Sequence, residues 1–435
     1  MFLATFKARK NINKNNNKFY LPFLFSFFND FLFYYSFYIT YFSQNGFSGG
    51  KLATLIVIMN ASKMMADIPV GILSDIISRR HILLLGLLCR AIFCGLCLFG
   101  QSLPLLAMAM LFVGIGNSCL WTHTWNYFYD YLKEQKKEAI FPQFMGKFYA
   151  VSNVAIALAG FTGSYIYTFV SFNGVFLISI ASILISILII SMLPNYKPKT
   201  TIKTAKNLKI ASPLQFISLL RELLKAPRLI RMLLLTILMD CMFIVFLDMN
   251  TTLMNHANMS AQATSRIVGI VAFVRIFSNY FSGKTEKLLS FKRIHSWLLI
   301  LVTFGLIASF FHSTFEILAV SAYLCIYPFF DTSIKTKLQN KLDSNTRATV
   351  MSLASLFVSI FAIIFNSLIG IVAEQSGYFA TPICIFLVVT IILWLVRNII
   401  RIYRFDKFVR NLADKINNKN NTVSKKRKKA KKTSI

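Results

Sequence analysis

The chain has 435 residues, a formal net charge of +31, 56% hydrophobic side chains and 43 Phe, with a mean hydropathy of +0.60. So much apolar surface has no place in a soluble globule of this length, which excludes a soluble enzyme or binding domain. The positive charge would point to nucleic acid in a soluble chain, but here it falls in gaps between long apolar runs and belongs with membrane topology.

Residues 1–18 form a polar, basic tail whose Asn-rich piece, NINKNNNK, has no apolar face to pack. A first apolar run at about 19–42 is long enough to cross ~30 Å of hydrocarbon at 1.5 Å per residue, and it lacks the small-residue cleavage site of a secretory signal. It is rich in Phe and Tyr and carries Asn29 and Asp30 near mid-depth. The second run, at about 52–69, leads through Pro69 and Gly71 into a charged turn with Asp75, Arg79, Arg80 and His81, and a third run follows at about 82–99. Ionised side chains this dense cannot sit in hydrocarbon, so the turn lies at a membrane surface. Asp75 and Arg79 are four apart and would meet if the turn were helical.

Further spans fall at about 105–127, 148–169 and 174–193, with Pro194 ending the sixth. Residues 195–231 are the longest polar interruption and hold nine Lys or Arg. Within them, PLQFISLLRELLKAPRLI has apolar residues at helical spacing, as for a helix lying along the membrane surface. Six more runs follow at about 232–254, 264–282, 295–311, 315–334, 348–372 and 379–401. The tail at 402–435 ends in SKKRKKAKKTSI, which on a membrane protein suits solvent or anionic headgroups better than nucleic acid. With both termini in the cytoplasm, 42 of the 47 Lys and Arg lie on that side, and the outer loops hold only Lys51 and Arg266. An asymmetry this strong predicts twelve spans.

Gly71, Asp75, Arg79 and Arg80 resemble the signature loop of the major facilitator superfamily, G-x-x-x-D-x-x-G-R/K-R/K between the second and third helices, with Ser78 where the family has glycine. Tyr129, Asp130, Leu132, Lys133, Gly146 and Lys147 stand where one branch has its junction between the fourth and fifth helices. Met110 occupies the position of that branch's arginine in the fourth helix, so a proton-transfer role for that arginine does not carry over. SGKTEKLLSFKRIH, with Gly283, Glu286, Lys292 and Arg293, reads as a degenerate second copy of the signature, and TRATVMSLASLF resembles the opening of the family's eleventh helix. Gly160, Gly163 and Gly370 supply small residues for close packing in lipid.

The resemblance covers about 20–400. It implies an all-α membrane protein of the MFS fold: 12 transmembrane helices in two six-helix pseudo-symmetric halves, at 19–194 and 232–401, about a cavity lined by spans 1, 4, 7 and 10. It also implies that Asp67, Gly71, Asp75, Arg79, Arg80 and Asp130 belong to a cytoplasmic charge network that stabilises one state of an alternating-access cycle.

A charge in mid-membrane costs at least ~2.5 to 3.5 kcal/mol, so each needs a partner, a wet cavity or a function. Helical rise puts Asp30, Arg90, Asp240 and Arg275 near the midplane. On the resemblance Asp30 and Asp240 face the cavity, where a carboxylate held out of water can exchange a proton as access alternates; the alternative is a structural place in helix-to-helix ion pairs. Arg90 and Arg275 would pair with these carboxylates or bind an anionic substrate. Lys63 and Asp67, four apart, can satisfy each other, and Asp248 reads as a gate or surface residue. His123, between Trp121 and Trp125, reads either as a proton relay or substrate contact, or as a packed, hydrogen-bonded side chain. Tyr34, Tyr35, Tyr38, Tyr323 and Tyr327 could stack on a flat or cationic solute, with half of them facing lipid or neighbours.

No glycine-rich phosphate loop, H-E-x-x-H or G-x-S-x-G occurs, so neither ATP use, a metal site, a cofactor nor an enzymatic step is expected. The seven Cys lie in apolar runs and read as buried small hydrophobes. The expectation is a monomeric secondary-active transporter of a small solute, proton-coupled, with anionic headgroups at its basic segments and no nucleic-acid partner. Export of an amphipathic or cationic compound is preferred because the cavity helices are aromatic and acidic. Uptake of a metabolite (sugar, amino acid or organic ion) and a transport-dead sensor or scaffold are the alternatives. Family resemblance places the protein in a bacterial inner membrane.

Overall fold

Apolar runs of these lengths become helices because in hydrocarbon every backbone N–H and C=O must find its partner within the protein. The computed structural model describes residues 20–47, 50–100, 102–137, 140–195, 227–285, 313–339, 344–376 and 388. These residues form α-helices and no strand: α1 Leu21–Asp30, α2 Tyr34–Gln44, α3 Gly50–Ile76, α4 Arg79–Phe99, α5 Leu103–Glu134, α6 Phe141–Met192, α7 Pro227–His256, α8 Ala261–Thr285, α9 Ser313–Gln339 and α10 Ser344–Ser376. Among the described residues six helices are long and apolar enough to cross a membrane. Large apolar side chains on their outer faces are bare, Phe99 at 88% and Phe169 at 84% exposed, as a hydrocarbon solvent allows. The protein is an integral, multi-pass membrane protein. The predicted spans at 295–311 and 379–401, both terminal tails, most of the 195–231 linker and the second signature copy beyond Thr285 lie outside the described residues.

Helix α6 contains the fifth and sixth predicted spans, turned into one another at Ser171, whose φ of 54° and ψ of −166° interrupt the helix. The first predicted span, read as continuous over 19–42, is broken at residues 31–33 into α1 and α2. Asn29 and Asp30 sit at the break, as short polar side chains that compete with helix hydrogen bonds do. Groups released there are recovered from other helices. Ser182 Oγ donates to the Phe28 carbonyl at 2.9 Å, Arg90 Nη1 donates to the Asn29 carbonyl at 3.3 Å, and the Tyr34 N–H donates to Ser179 Oγ at 3.1 Å.

The turn between α3 and α4 is short and not helical. Asp75 and Arg79 therefore stand on different helices, and the condition for their i, i+4 meeting is absent. Ser78 is extended (φ −66°, ψ 143°) at the N-cap of α4, a conformation any residue adopts, which explains why the family's glycine can be serine here.

Buried apolar side chains fall into two main clusters. One is built from residues 21–193 with Ala261, and the other from Met232 to Phe365. The halves meet most extensively where α6 packs on α8. At that contact a Cβ on Gly160 would lie 2.7 Å from the Gly269 Cα and 2.9 Å from the Ser265 carbonyl, so the backbones touch. Gly160→Val should therefore force the helices apart at a cost of about 1–3 kcal/mol, the usual range for overpacking. Gly95→Ala, where a Cβ meets nothing within 4 Å, should be near neutral. Thermal unfolding of the two purified variants in detergent checks the difference.

Candidate functional site

Between the two halves lies a cavity of about 180 Å³. Asp30, Arg90, Trp121 and Tyr149 line it from the first half, and Phe243 and Arg275 from the second. The volume lies below the ~300–1,000 Å³ of pockets for drug-sized ligands, so the space matches a small solute.

Asp30 reaches the cavity because it ends α1 at the break. Its Oδ2 accepts from Ser152 Oγ at 2.6 Å, and its Oδ1 accepts from Asn29 Nδ2 at 2.9 Å. Arg90, 9% exposed, places Nη1 3.9 Å from the Asp30 Oδ1. The same nitrogen donates to Asn29 Oδ1 at 3.3 Å, and Nη2 donates to Asn117 Oδ1 at 3.2 Å. One carboxylate and two amides thus hold one guanidinium in mid-membrane and tie α1, α4, α5 and α6 together.

Arg275 enters from α8 with its guanidinium 5.0 Å from the centre of the Phe243 ring. Phe243 stacks on Tyr327 at 4.1 Å and 16°, and the Tyr327 hydroxyl donates to Asp240 Oδ1 at 2.7 Å. Asp240 therefore joins α7 to α9 beside the cavity and is not among its lining residues.

Other expected residues lie elsewhere. Tyr34 is buried in the first-half core against Phe93, and its neighbour Tyr35 lines the cavity in its place. Adjacent helical residues point about 100° apart, and the break resets which one faces inward. Tyr38 donates to Asp248 Oδ1 at 3.2 Å and Thr40 donates to Asn255 Oδ1 at 2.9 Å, joining α2 to α7 between the cavity and the loop after Gln44. Asp248 is thereby buried between the halves. His123 is buried beside the cavity and does not line it. The Lys63 ammonium stands 5.7 Å from the Trp121 ring centre, while Asp67 Oδ1 accepts from Ser118 Oγ at 2.6 Å. Sequence reasoning gave no role to Ser152, Asn250 or Glu316. The last is an acidic residue inside an apolar run, buried in the first turn of α9, with no hydrogen-bond partner for either oxygen among the described residues.

At the turn, Arg79 forms an ion pair with Asp130 and donates to the Asn126 carbonyl at 3.0 Å, bridging α4 to α5. Arg80 donates to the Ser191 and Leu193 carbonyls at 3.2 and 3.1 Å, where α6 ends and its last carbonyls lack helical partners. A Cβ on Gly71 would meet nothing within 4 Å, and the Asp75 side chain lies outside the described residues.

The sequence profile of the Major Facilitator Superfamily matches residues 20–334. Among curated protein sequences none matches the chain. Among solved structures, a mutant of the nucleoside transporter NupG superimposes with a TM-score of 0.64 at 17% identity, over 88% of this chain and 99% of that one. A D-xylose-proton symporter gives 0.61 at 12% identity, over 85% and 94%. The peptide transporter POT in complex with sulfate gives 0.62 at 16% identity, over 88% and 94%. At these identities the likeness establishes the fold.

The contacts between α2 and α7 should behave as a closure. In a background free of the native cysteines, Thr40→Cys with Asn255→Cys should form an oxidant-dependent crosslink, read as a mobility shift on non-reducing gels, that locks the halves. Solute movement should stop on oxidation and return on reduction.

Proposed function

The chain belongs to the major facilitator superfamily, and from that premise we propose that it carries a small solute across the membrane by alternating access, coupled to protons through Asp30 and Asp240. The observation that carries the reading is Asp30 itself, a carboxylate at a helix break, facing the cavity, held by Ser152 and standing 3.9 Å from Arg90. While ionised, it attracts Arg90 and keeps α1, α4 and α6 drawn together. A proton on it cancels that attraction and lets the hydroxyl of Ser152 and the carboxyl exchange donor and acceptor roles. The Tyr327–Asp240 bond offers the second half an equivalent joint between α7 and α9.

The halves meet through Tyr38–Asp248 and Thr40–Asn255 on one side of the cavity. In the proposed cycle these contacts part when the opposite side closes, and the Arg79–Asp130 pair belongs to the apparatus of that opposite side. Both termini and the charged turn are assigned to the cytoplasm because Lys and Arg concentrate there, in an energised membrane of the bacterial inner type. An alternating-access carrier runs in whichever direction the summed gradients dictate, so cavity chemistry selects the solute and not the direction. Uptake and export both fit.

The expectation of an amphipathic or cationic solute drew on acidic, aromatic spans. Aromatic side chains do line the cavity, but its ionisable lining is Asp30 with Arg90 and Arg275. That favours a metabolite with an anionic group over a cation.

Purified protein in proteoliposomes, loaded with sugars, nucleosides, amino acids and small carboxylates in turn, should show counterflow of at least one class. An inward-acid pH gradient should alter its accumulation, and Asp30→Asn and Asp240→Asn should each reduce gradient-driven accumulation at least tenfold. Wild-type pH dependence in both variants would end the coupling assignment.

A further inference from the structure

Charge accounting in the cavity is unequal. Among the described residues two guanidiniums and one carboxylate line it. Arg90 and Asp30 satisfy each other: Asp30 is committed on both oxygens, to Ser152 on one and to Asn29 and Arg90 on the other. Arg275 has no such arrangement. No described carboxylate lies within 4 Å of it, and no described residue accepts a hydrogen bond from its guanidinium, whereas Arg90, whose Nε is also unpartnered, donates through both Nη atoms. The Phe243 face is the contact described for it, and Asp30, already paired with Arg90, attracts it only from beyond ion-pair distance. A cation–π contact is worth about 0.5–2 kcal/mol, less than the ~2.5–3.5 kcal/mol that a mid-membrane guanidinium costs. Among the described residues the site is therefore one negative charge short.

We propose that the cavity takes a small solute carrying a single carboxylate, which binds Arg275; this rests on the transport reading above and names its substrate class. The planar guanidinium presents paired N–H donors that a carboxylate matches with two oxygens. Asn250 lines the same space, and with its Oδ1 accepting from Ser321 at 3.2 Å its amide N–H groups remain as donors. Tyr35 and Trp121 give the remainder of the solute an aromatic wall. A doubly charged anion would overshoot the single missing charge, and a cation would add to the excess.

The test uses the purified full-length chain with lactate, benzoate and propionate as monocarboxylate probes, succinate and phosphate as dianions, choline as a cation, and glucose and uridine as neutral solutes. Binding is read by thermal stabilisation and by tryptophan fluorescence, to which Trp121 reports from the cavity wall. At least one monocarboxylate should stabilise the protein, Arg275→Gln should weaken its apparent affinity at least tenfold, and Arg275→Lys should retain most of it. Size-exclusion profiles and unliganded melting verify that each variant is folded; if Arg275→Gln is not, the probe series and Arg275→Lys decide alone. Stabilisation by choline, by neutral solutes or by dianions without any monocarboxylate, no stabilisation by any probe, or a monocarboxylate affinity indifferent to Arg275→Gln would overturn the assignment. Counterflow of the same probes separates the two readings. A carboxylate bound through Arg275 but never carried leaves the site assignment standing and removes the transport reading. Counterflow of glucose, uridine or choline with no carboxylate bound does the reverse.

Discussion

A guanidinium in the middle of a bilayer must be met by protein, and the first half of this molecule is arranged around meeting one. Arg90 takes a carbonyl from the broken first span, amide oxygens from Asn29 and Asn117, and the nearby charge of Asp30. An unbroken helix would keep the Asn29 carbonyl for its own backbone. The break and the arginine therefore require each other, and the serines of α6 that serve Phe28 and Tyr34 complete the arrangement. Everything that reaches the cavity from α1 does so because of this interruption.

The same constraint separates the two mid-membrane arginines. Arg90 is enclosed by hydrogen-bond acceptors, whereas Arg275 rests on an aromatic ring at the cavity wall. One is a structural fixture that stands 3.9 Å from Asp30, and the other faces the space a solute would fill. Asp240 is tied to Tyr327 and so is spatially continuous with Arg275 through the Phe243–Tyr327 stack.

Much of the architecture was legible in the chain, because twenty-residue apolar runs separated by basic turns have few ways to fold in lipid. The part of the turn that brings Arg79 to Asp130 followed from family resemblance, and the longer reach of α5 to Glu134 places Asp130 within the helix. The break at 31–33 was harder to see. No proline or glycine marks it, and the only local signal is Asn29–Asp30, two residues whose side chains favour helix ends. Spacing left Tyr34 and Tyr35 both as candidates, and it is Tyr35 that lines the cavity. That no described carboxylate pairs with Arg275 could not be read from spacing at all, since it depends on which of several distant carboxylates the tertiary fold brings near.

Helices α6 and α8 touch backbone to backbone at Gly160 and Gly269, and Ser265 Oγ of α8 donates to the Gly160 carbonyl at 2.8 Å across the contact. The Tyr38–Asp248 and Thr40–Asn255 contacts join side chain to side chain, whereas at Gly160 one short hydroxyl meets a backbone carbonyl. Backbones this close leave no room for long side chains between them to interlock, so in the proposed cycle this is the contact about which the halves would turn. With the pivot there, the distance of each side chain from it would fix how far that side chain swings.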